Sequence, residues 1–152
     1  MKRVARPLPP GALRLLQPFF PGFDLRRIRV CEGIPRYVIG EALGYADRDT
    51  IYLQRGAFQP ETIHGLALLA HEITHCQQYD RYGAWRFRVR YLSEYFKYRR
   101  RGMNHATAYW HISFEVQARE VEDLVAETLL DCEDLALPLA LTHPDTHEPF
   151  NK

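Results

Sequence analysis

The sequence predicts an α+β fold, with a small N-terminal β-sheet of about three strands packed on a mainly helical core. Three short strand candidates precede the first long helical pattern, and two further helical patterns follow it. The 152 residues are 46% apolar and 26% charged, which is ordinary for a globular domain. We therefore expect a single domain over residues 1–152, with an arm at 1–24 packed on its surface and a polar tail at 138–152.

The overall charge and the cysteines narrow the possible functions. The formal net charge of +1 predicts no strong general attraction to nucleic acid or membrane. Proline, arginine and glutamine residues between positions 9 and 18 interrupt the apolar run that a signal peptide needs, and no stretch reaches transmembrane length. Cys31, Cys76 and Cys132 are odd in number and far apart, which is typical of reduced thiols. These features predict a cytoplasmic protein, and they leave export by a dedicated secretion apparatus open.

The strand candidates lie before residue 54. The β-branched and aromatic run Thr50–Leu53 is the strongest, Val30–Cys31 is a second, and Arg36–Ile39 is a third. Gly44–Arg48 has the composition of a turn, and Gly11–Leu16 predicts a short helix.

The first long helix is expected to start at Pro60 or Glu61 and to run to about Tyr82, ending at Gly83. A second helix is predicted from Ala84 to Arg101. Its apolar face follows i, i+4, i+7, i+11 spacing and consists of Trp85, Val89, Leu92 and Phe96. The same segment carries a basic run, which is compatible with a solvated face or with contact to RNA, DNA or anionic lipid.

A third helix is predicted from Ala106 or Thr107 to Leu135, with Asn104 as one candidate cap and Pro138 as the stop. Its predicted buried stripe contains Phe114, Ala118, Val121, Val125, Thr128, Cys132 and Leu135. In the tail beyond it, His143 and His147 are expected to be exposed.

The most informative stretch is the apolar run Leu66–Tyr79, which contains the pentapeptide HEITH at 71–75. On a helix, His71 and His75 lie one turn apart on one face, so their imidazoles can converge on a divalent ion. Glu72 then lies beside that ion and can accept a proton from water. Two histidines and one further ligand leave zinc an open position, as a catalytic site requires. By contrast, His64 lies about 10 Å along the axis from His71, too far to bind the same ion.

The third ligand must come from elsewhere in the chain. Gln78 and Arg81 stand where a metzincin would have Gly and His, so that class is excluded. Glu115 borders the apolar stripe of the third helix and is the preferred candidate. His111 lies one turn earlier, either as a competing ligand or as a donor to the oxyanion. Glu122 lies two turns further on and cannot share the ion with Glu115.

HEITH followed by a helix with Glu-x-x-Ala resembles the gluzincin metallopeptidases. More narrowly, the segments at 28–30, 50–53 and 69–78 are similar to the metallopeptidase domain of extracellular contractile injection systems, with the closest part at about 25–83. The resemblance implies a zincin-like core, Zn²⁺ as cofactor, His71, His75 and Glu115 as ligands, and Glu72 as general base. Related gluzincins often carry Asp four residues after the ligand Glu. Arg119 stands there and cannot accept the imidazole N–H, so another group must orient that histidine.

The leading hypothesis is therefore zinc-dependent hydrolysis of a peptide or protein substrate, with Thr50–Leu53 as a strand that pairs with the extended substrate. A second hypothesis is a metal-stabilised binding or structural module without turnover. A third is a nucleic-acid-associated domain that uses Arg86–Arg101.

Overall fold

The computed structural model describes residues 4–36 and 43–140, with side chains described as far as residue 132. Residues 37–39 of the third strand candidate and the histidines of the C-terminal tail therefore lie outside the described residues. Within these ranges the predicted α+β class is confirmed: a four-stranded sheet packs against helices.

The sheet contains β1 (Arg6–Pro7), β2 (Arg29–Glu32), β3 (Gly44–Asp47) and β4 (Thr50–Leu53), in the order β1-β2-β4-β3. β2 and β4 pair in parallel, whereas β1–β2 and β3–β4 are antiparallel. The parallel pair carries much of the buried surface of the sheet, because alternating apolar side chains point to one face. These residues are Val30, Ile51 and Leu53.

One expectation about this region is wrong. The predicted turn at Gly44–Arg48 is mostly strand, because the turn of the β3–β4 hairpin occupies only Arg48 and Asp49, between the paired residues Asp47 and Thr50. Arg48 has a φ of 56°, which places it in the left-handed region that tight hairpin turns use.

The N-terminal arm contributes to both the sheet and the core. It supplies β1 and the helix α1 (Pro10–Leu16), and it buries apolar side chains in the main core. The Gln17 side chain donates to the carbonyls of Phe20 and Phe23 at 3.1 and 2.9 Å, which fixes the path of the chain after α1. The buried residues of the arm are Leu8, Ala12, Leu16, Phe20 and Phe23.

The remaining helices are α2 (Ile63–Tyr82), α3 (Ala84–Arg100), α4 (His105–Trp110) and α5 (Ser113–Ala140). None of the described helices is both long enough and apolar enough to cross a membrane. α2 begins at Ile63, two or three residues later than the predicted start at Pro60 or Glu61, because the Thr62 side chain accepts from Gly65 N at 3.0 Å and caps the helix there. It ends at Gly83, as predicted, with a φ of 74°.

The predicted third helix is two helices. Asn104 caps α4 by accepting from Thr107 N at 2.8 Å, which confirms the predicted cap. The chain then breaks at His111, and α5 starts afresh, because Glu94 of α3 accepts from Ser113 N at 2.6 Å. The helix α5 extends to Ala140, two residues past the predicted stop at Pro138.

The stripe of α5 is buried in its first half, at Phe114, Ala118 and Val125. Cys132 is exposed, contrary to the prediction, and Leu135 lies beyond the described side chains.

α3 buries a different face from the one its apolar spacing indicates. Phe87 is its buried residue, and Phe87 stacks on Phe114 of α5 with ring centroids 4.8 Å apart. Trp85, Val89, Leu92 and Phe96 do share one face, but that face is exposed.

Candidate metal centre

The helix α2 presents His71 and His75 one turn apart, and both imidazoles point toward α5. Their Nε2 atoms are 3.3 Å apart. From α5, Glu115 places Oε2 3.3 Å from His71 Nε2 and Oε1 3.4 Å from His75 Nε2. Their ligand atoms lie within 4.8 Å of one another, so the three residues that the sequence predicts as ligands come together and could hold a metal ion.

The spacing of these atoms suits a small tetrahedral ion. Ligands about 2.0–2.1 Å from a tetrahedral zinc lie about 3.3–3.4 Å from one another. The two imidazole nitrogens and the nearest carboxylate oxygens are separated by 3.3–3.4 Å. With three protein ligands, a tetrahedral ion would keep one coordination position free.

Each imidazole is held through its other nitrogen, Nδ1. His71 Nδ1 is 2.9 Å from Glu122 Oε2, and His75 Nδ1 is 2.9 Å from Gln78 Oε1. Gln78 Nε2 in turn donates to Phe114 O and to Gln117 Oε1, both at 3.1 Å, which leaves its Oε1 as the acceptor. With Nδ1 as the donor in each ring, the neutral form of either imidazole presents the lone pair of Nε2 to the centre.

Glu122 supplies an acceptor for an imidazole N–H, which the Arg119 guanidinium cannot do. It does not share the ligand position with Glu115, as expected, and contacts the far nitrogen of His71 instead. Arg119 turns away from the site: its guanidinium donates to Trp110 O and stacks on the Trp110 ring, with Cζ 3.8 Å from the centroid.

The electrostatics of the cluster favour a positive charge between the imidazoles and the carboxylate. Burial lowers the pKa of His71, but the carboxylates of Glu115 and Glu122 raise it overall to about 10. For His75, burial likewise opposes the charge and Glu115 outweighs it, so its pKa is raised. Burial raises the pKa of Glu115, whereas the two histidines lower it well below its ordinary value. A cation is therefore stabilised here, and protons and a metal ion compete for the same position.

Glu115 is 1% exposed, and among the described residues one of its two oxygens accepts a hydrogen bond. Tyr91 of α3 donates to Glu115 Oε1 at 2.7 Å. Oε2 is buried without a hydrogen-bond partner among the described residues, and it is the oxygen 3.3 Å from His71 Nε2. An unsatisfied buried carboxylate oxygen is costly unless a cation binds it, so Oε2 is the candidate ligand atom.

Glu72 lies beside the two histidines and is almost completely buried. Its Oε2 also has no hydrogen-bond partner in the described part of the chain. Burial is the main cause that raises the pKa of Glu72, and the nearby histidines oppose that shift. The side chain lies against the backbone of β3, where a Cβ added to Gly44 would be 2.3 Å from Glu72 Oε1. Gly44 is therefore required for close approach of the strand to the helix.

Two tyrosines at the centre were not identified from the sequence. Tyr91 orients Glu115, and the Tyr109 ring lies 6.4 Å from the Tyr91 ring. Burial, followed by the charge of Glu115, raises the pKa of the Tyr109 phenol, which therefore remains a proton donor at neutral pH. Tyr91 follows Phe87 by one turn, so the spacing of these aromatic residues is the sequence signal that points to this face of α3.

His111 does not take the predicted place. It is exposed at the break between α4 and α5, where its Nδ1 donates to Thr107 O at 2.8 Å, and it is not one of the clustered ligand residues. The prediction assumed one continuous helix, and the break changes the direction of the His111 side chain. His64 is exposed, and Cys76 is fully buried in the apolar core, so neither joins the centre.

A comparison with protein-family models places this arrangement among relatives. A family described as the eCIS core domain matches residues 7–83, just over half of the chain. The chain belongs to the eCIS core domain family. This confirms the predicted relation to extracellular contractile injection systems. No curated protein and no solved structure matches the chain at a significant level.

The segment matched by the eCIS core domain contains the α2 half of the centre, with His71, Glu72 and His75. Glu115 and Glu122 lie outside it, on α5. The two halves of the centre are therefore supplied by the matched and the unmatched parts of the chain.

Proposed function

We propose that the chain is a zinc-dependent peptide hydrolase, with His71, His75 and Glu115 as metal ligands and Glu72 as general base. The observation that carries the proposal is the convergence of three ligand side chains beside a buried carboxylate with an unpartnered oxygen. A zinc ion held by these residues would act as a Lewis acid and would lower the pKa of bound water toward neutrality.

Glu72 performs the proton transfers in this proposal. Burial raises the pKa of the Glu72 carboxylate, so it holds a proton more readily than an exposed glutamate does. Oε2, which has no competing hydrogen bond within the described residues, accepts a proton from the attacking water and later returns it to the leaving amine. Gly44 keeps the carboxylate close to the strand and so limits the directions in which it can turn.

Tyr109 replaces His111 as the proposed donor to the oxyanion. Its phenol adjoins Glu115 and Tyr91, its pKa is raised, and its side chain is 36% exposed, so a substrate can reach it. A preorganised donor of this kind stabilises the negative charge that develops on the carbonyl oxygen.

The strand proposed to pair with the substrate is β3 rather than the Thr50–Leu53 strand, β4. β4 lies between β2 and β3, so both of its edges are already used. β3 ends the order of the described strands and touches Glu72 through Gly44. An extended peptide added alongside β3 would run past the general base.

The substitution Glu72→Gln tests the proposal, because it keeps the size of the side chain and removes its basicity. We expect the variant to fold and bind zinc like the parent, while peptide hydrolysis falls by about 10²–10⁴-fold. Glu61→Gln, at an exposed position before α2, is the matched control. Zinc content is measured by elemental analysis, and cleavage with a mixed peptide library at neutral pH.

Equal cleavage by parent and Glu72→Gln would show that Glu72 is not the base. A zinc-loaded parent that cleaves no peptide in the library would favour the non-catalytic module, in which the same ligands only stabilise the fold. A protein that takes up no transition metal when zinc is supplied would refute both.

A further inference from the structure

The helix α3 carries a ridge of exposed apolar side chains that no part of the described chain covers. Trp85, Val89, Leu92 and Phe96 are 79%, 44%, 52% and 53% exposed. At about 100° per residue, the four lie within about 60° of one another around the helix. The buried Phe87 lies on the opposite side. We call these four residues the α3 ridge.

Cations line both sides of the α3 ridge. Six Arg or Lys against one Glu give α3 a formal charge of +5, whereas the whole chain carries +1. Arg86 and Arg100 flank the ridge on one side, and Arg88 and Arg99 on the other. Arg88 pairs with Asp47 at 3.0 Å, and Arg99 donates to Met103 O. Arg86 and Arg100 make no ion pair within the described residues, so their charge is available to a partner.

The spacing of the ridge is that of a helix–helix seam. The intervals from Trp85 to Phe96 are four, three and four residues, which is the alternation of a and d positions in a heptad. A helix that packs on a domain core or lies in a membrane interface has a broader apolar face, whereas a strict a/d stripe is narrow. Arg86, Arg88 and Arg100 then occupy the e and g positions, which determine the choice of partner.

We propose that the α3 ridge is a docking surface for an acidic amphipathic helix of another protein. Apolar side chains of that helix would cover the ridge, and Glu or Asp at its flanking positions would meet the arginines. A second α3 would place arginines opposite arginines, and such like-charge pairing opposes self-association through this seam. Nucleic acid offers phosphates to the arginines but no apolar surface for Val89 and Leu92. This surface lies on the side of α3 away from the metal centre and does not depend on the proposed hydrolase activity.

The test uses the full chain and two synthetic three-heptad peptides. Both peptides have Leu at a and d; one has Glu at e and g, the other Lys. Trp85 reports binding in a Trp110→Phe background, because Trp85 and Trp110 are the two tryptophans of the chain. We expect the Glu peptide to shift Trp85 emission to shorter wavelength with saturation, and the Lys peptide to leave it unchanged.

Two matched variants locate the site. Leu92→Ser should weaken binding of the Glu peptide by about tenfold or more, since a central apolar contact is lost. Leu124→Ser is its control, because Leu124 is 53% exposed on α5, off the ridge, whereas Leu92 is 52% exposed. Replacing Arg86 and Arg100 together by Glu should abolish the preference for the Glu peptide over the Lys peptide.

Equal binding of both peptides, or equal loss in Leu92→Ser and Leu124→Ser, would overturn the proposal. A second contrary result would be that neither peptide binds, while phosphatidylserine vesicles or a single-stranded oligonucleotide shift the Trp85 emission. Either shift would identify a different class of partner. Salt-dependent self-association abolished by Leu92→Ser would also overturn it, because a second copy would then be the occupant.

Discussion

Replacing Glu122 by Ala removes the carboxylate that accepts from His71 Nδ1 at 2.9 Å. Glu122 is not a candidate ligand; it fixes the direction and the tautomer of a candidate ligand. In its absence, the His71 ring can rotate, and Nε2 no longer presents its lone pair to the centre in every molecule. We therefore expect zinc to bind more weakly, although all three proposed ligands remain.

The size of this loss follows from the exposure of the pair. Removal of such a partner commonly lowers metal affinity by about 10–100-fold. The Glu122 side chain is 30% exposed, so water can partly replace the lost acceptor. We expect a decrease of about tenfold to thirtyfold, or about 1.4–2 kcal/mol. Glu122→Gln keeps an amide oxygen at the same reach and should lose only a few-fold.

Zinc affinity is measured by competition with a chromophoric chelator at neutral pH. Asp123→Ala serves as the control, since the neighbouring exposed residue carries the same charge without contacting His71. A similar loss in Glu122→Ala and Asp123→Ala would mean that general charge, not orientation of the imidazole, sets the affinity. No loss in either variant would refute the reasoning.

Three further predictions follow from other contacts. Gly44→Ala places a methyl group 2.3 Å from Glu72 Oε1, so the carboxylate must move. We expect peptide hydrolysis to fall by about a hundredfold, while the zinc content, measured by elemental analysis, stays at the parent level. Glu115→Ala should lower zinc affinity, measured by chelator competition, far more than His111→Ala, and the reverse order would return the ligand role to His111. Burial raises the pKa of Glu94, but hydrogen bonds from Ser113, the first residue of α5, lower the pKa overall. The Glu94 carboxylate therefore contributes fully to stability above the ordinary pKa of 4.5, and this contribution is lost as the pH falls through the lower pKa of the folded state. Glu94→Gln should therefore cost about 1 kcal/mol in urea unfolding at neutral pH, and a difference from the parent that persists in strong acid would contradict this assignment.

The parts of the fold that local rules govern could be predicted from the sequence. The C-terminal end of α2 follows from Gly83, and the shared face of His71 and His75 follows from helical spacing alone. Glu115 was identified because it borders the apolar stripe of α5, which packs against α2. Each of these inferences needs only the residues of one helix and the requirement that apolar surface be buried.

The errors concern features that another element decides. On α3, Phe87, Tyr91 and Tyr98 repeat the same spacing as the exposed ridge, so periodicity cannot choose which face is buried. The bond from Tyr91 to Glu115 favours the aromatic face. The break between α4 and α5 likewise depends on Glu94, a residue of α3 that caps α5 across the structure.

His75 and Glu115 are 40 positions apart in the chain, but His75 Nε2 lies 3.4 Å from Glu115 Oε1 in the fold. An ion held by both would join α2 to α5 as a removable cross-link, comparable to a disulfide that closes a loop of that length. By the chain-entropy relation, such a closure restricts the unfolded chain by about 4 kcal/mol. α3, α4 and their loops lie inside this loop, whereas the four strands lie before it. Metal loading would thus raise the free energy of unfolding by restricting the segment that contains α3 and α4, which lies outside the match to the eCIS core domain.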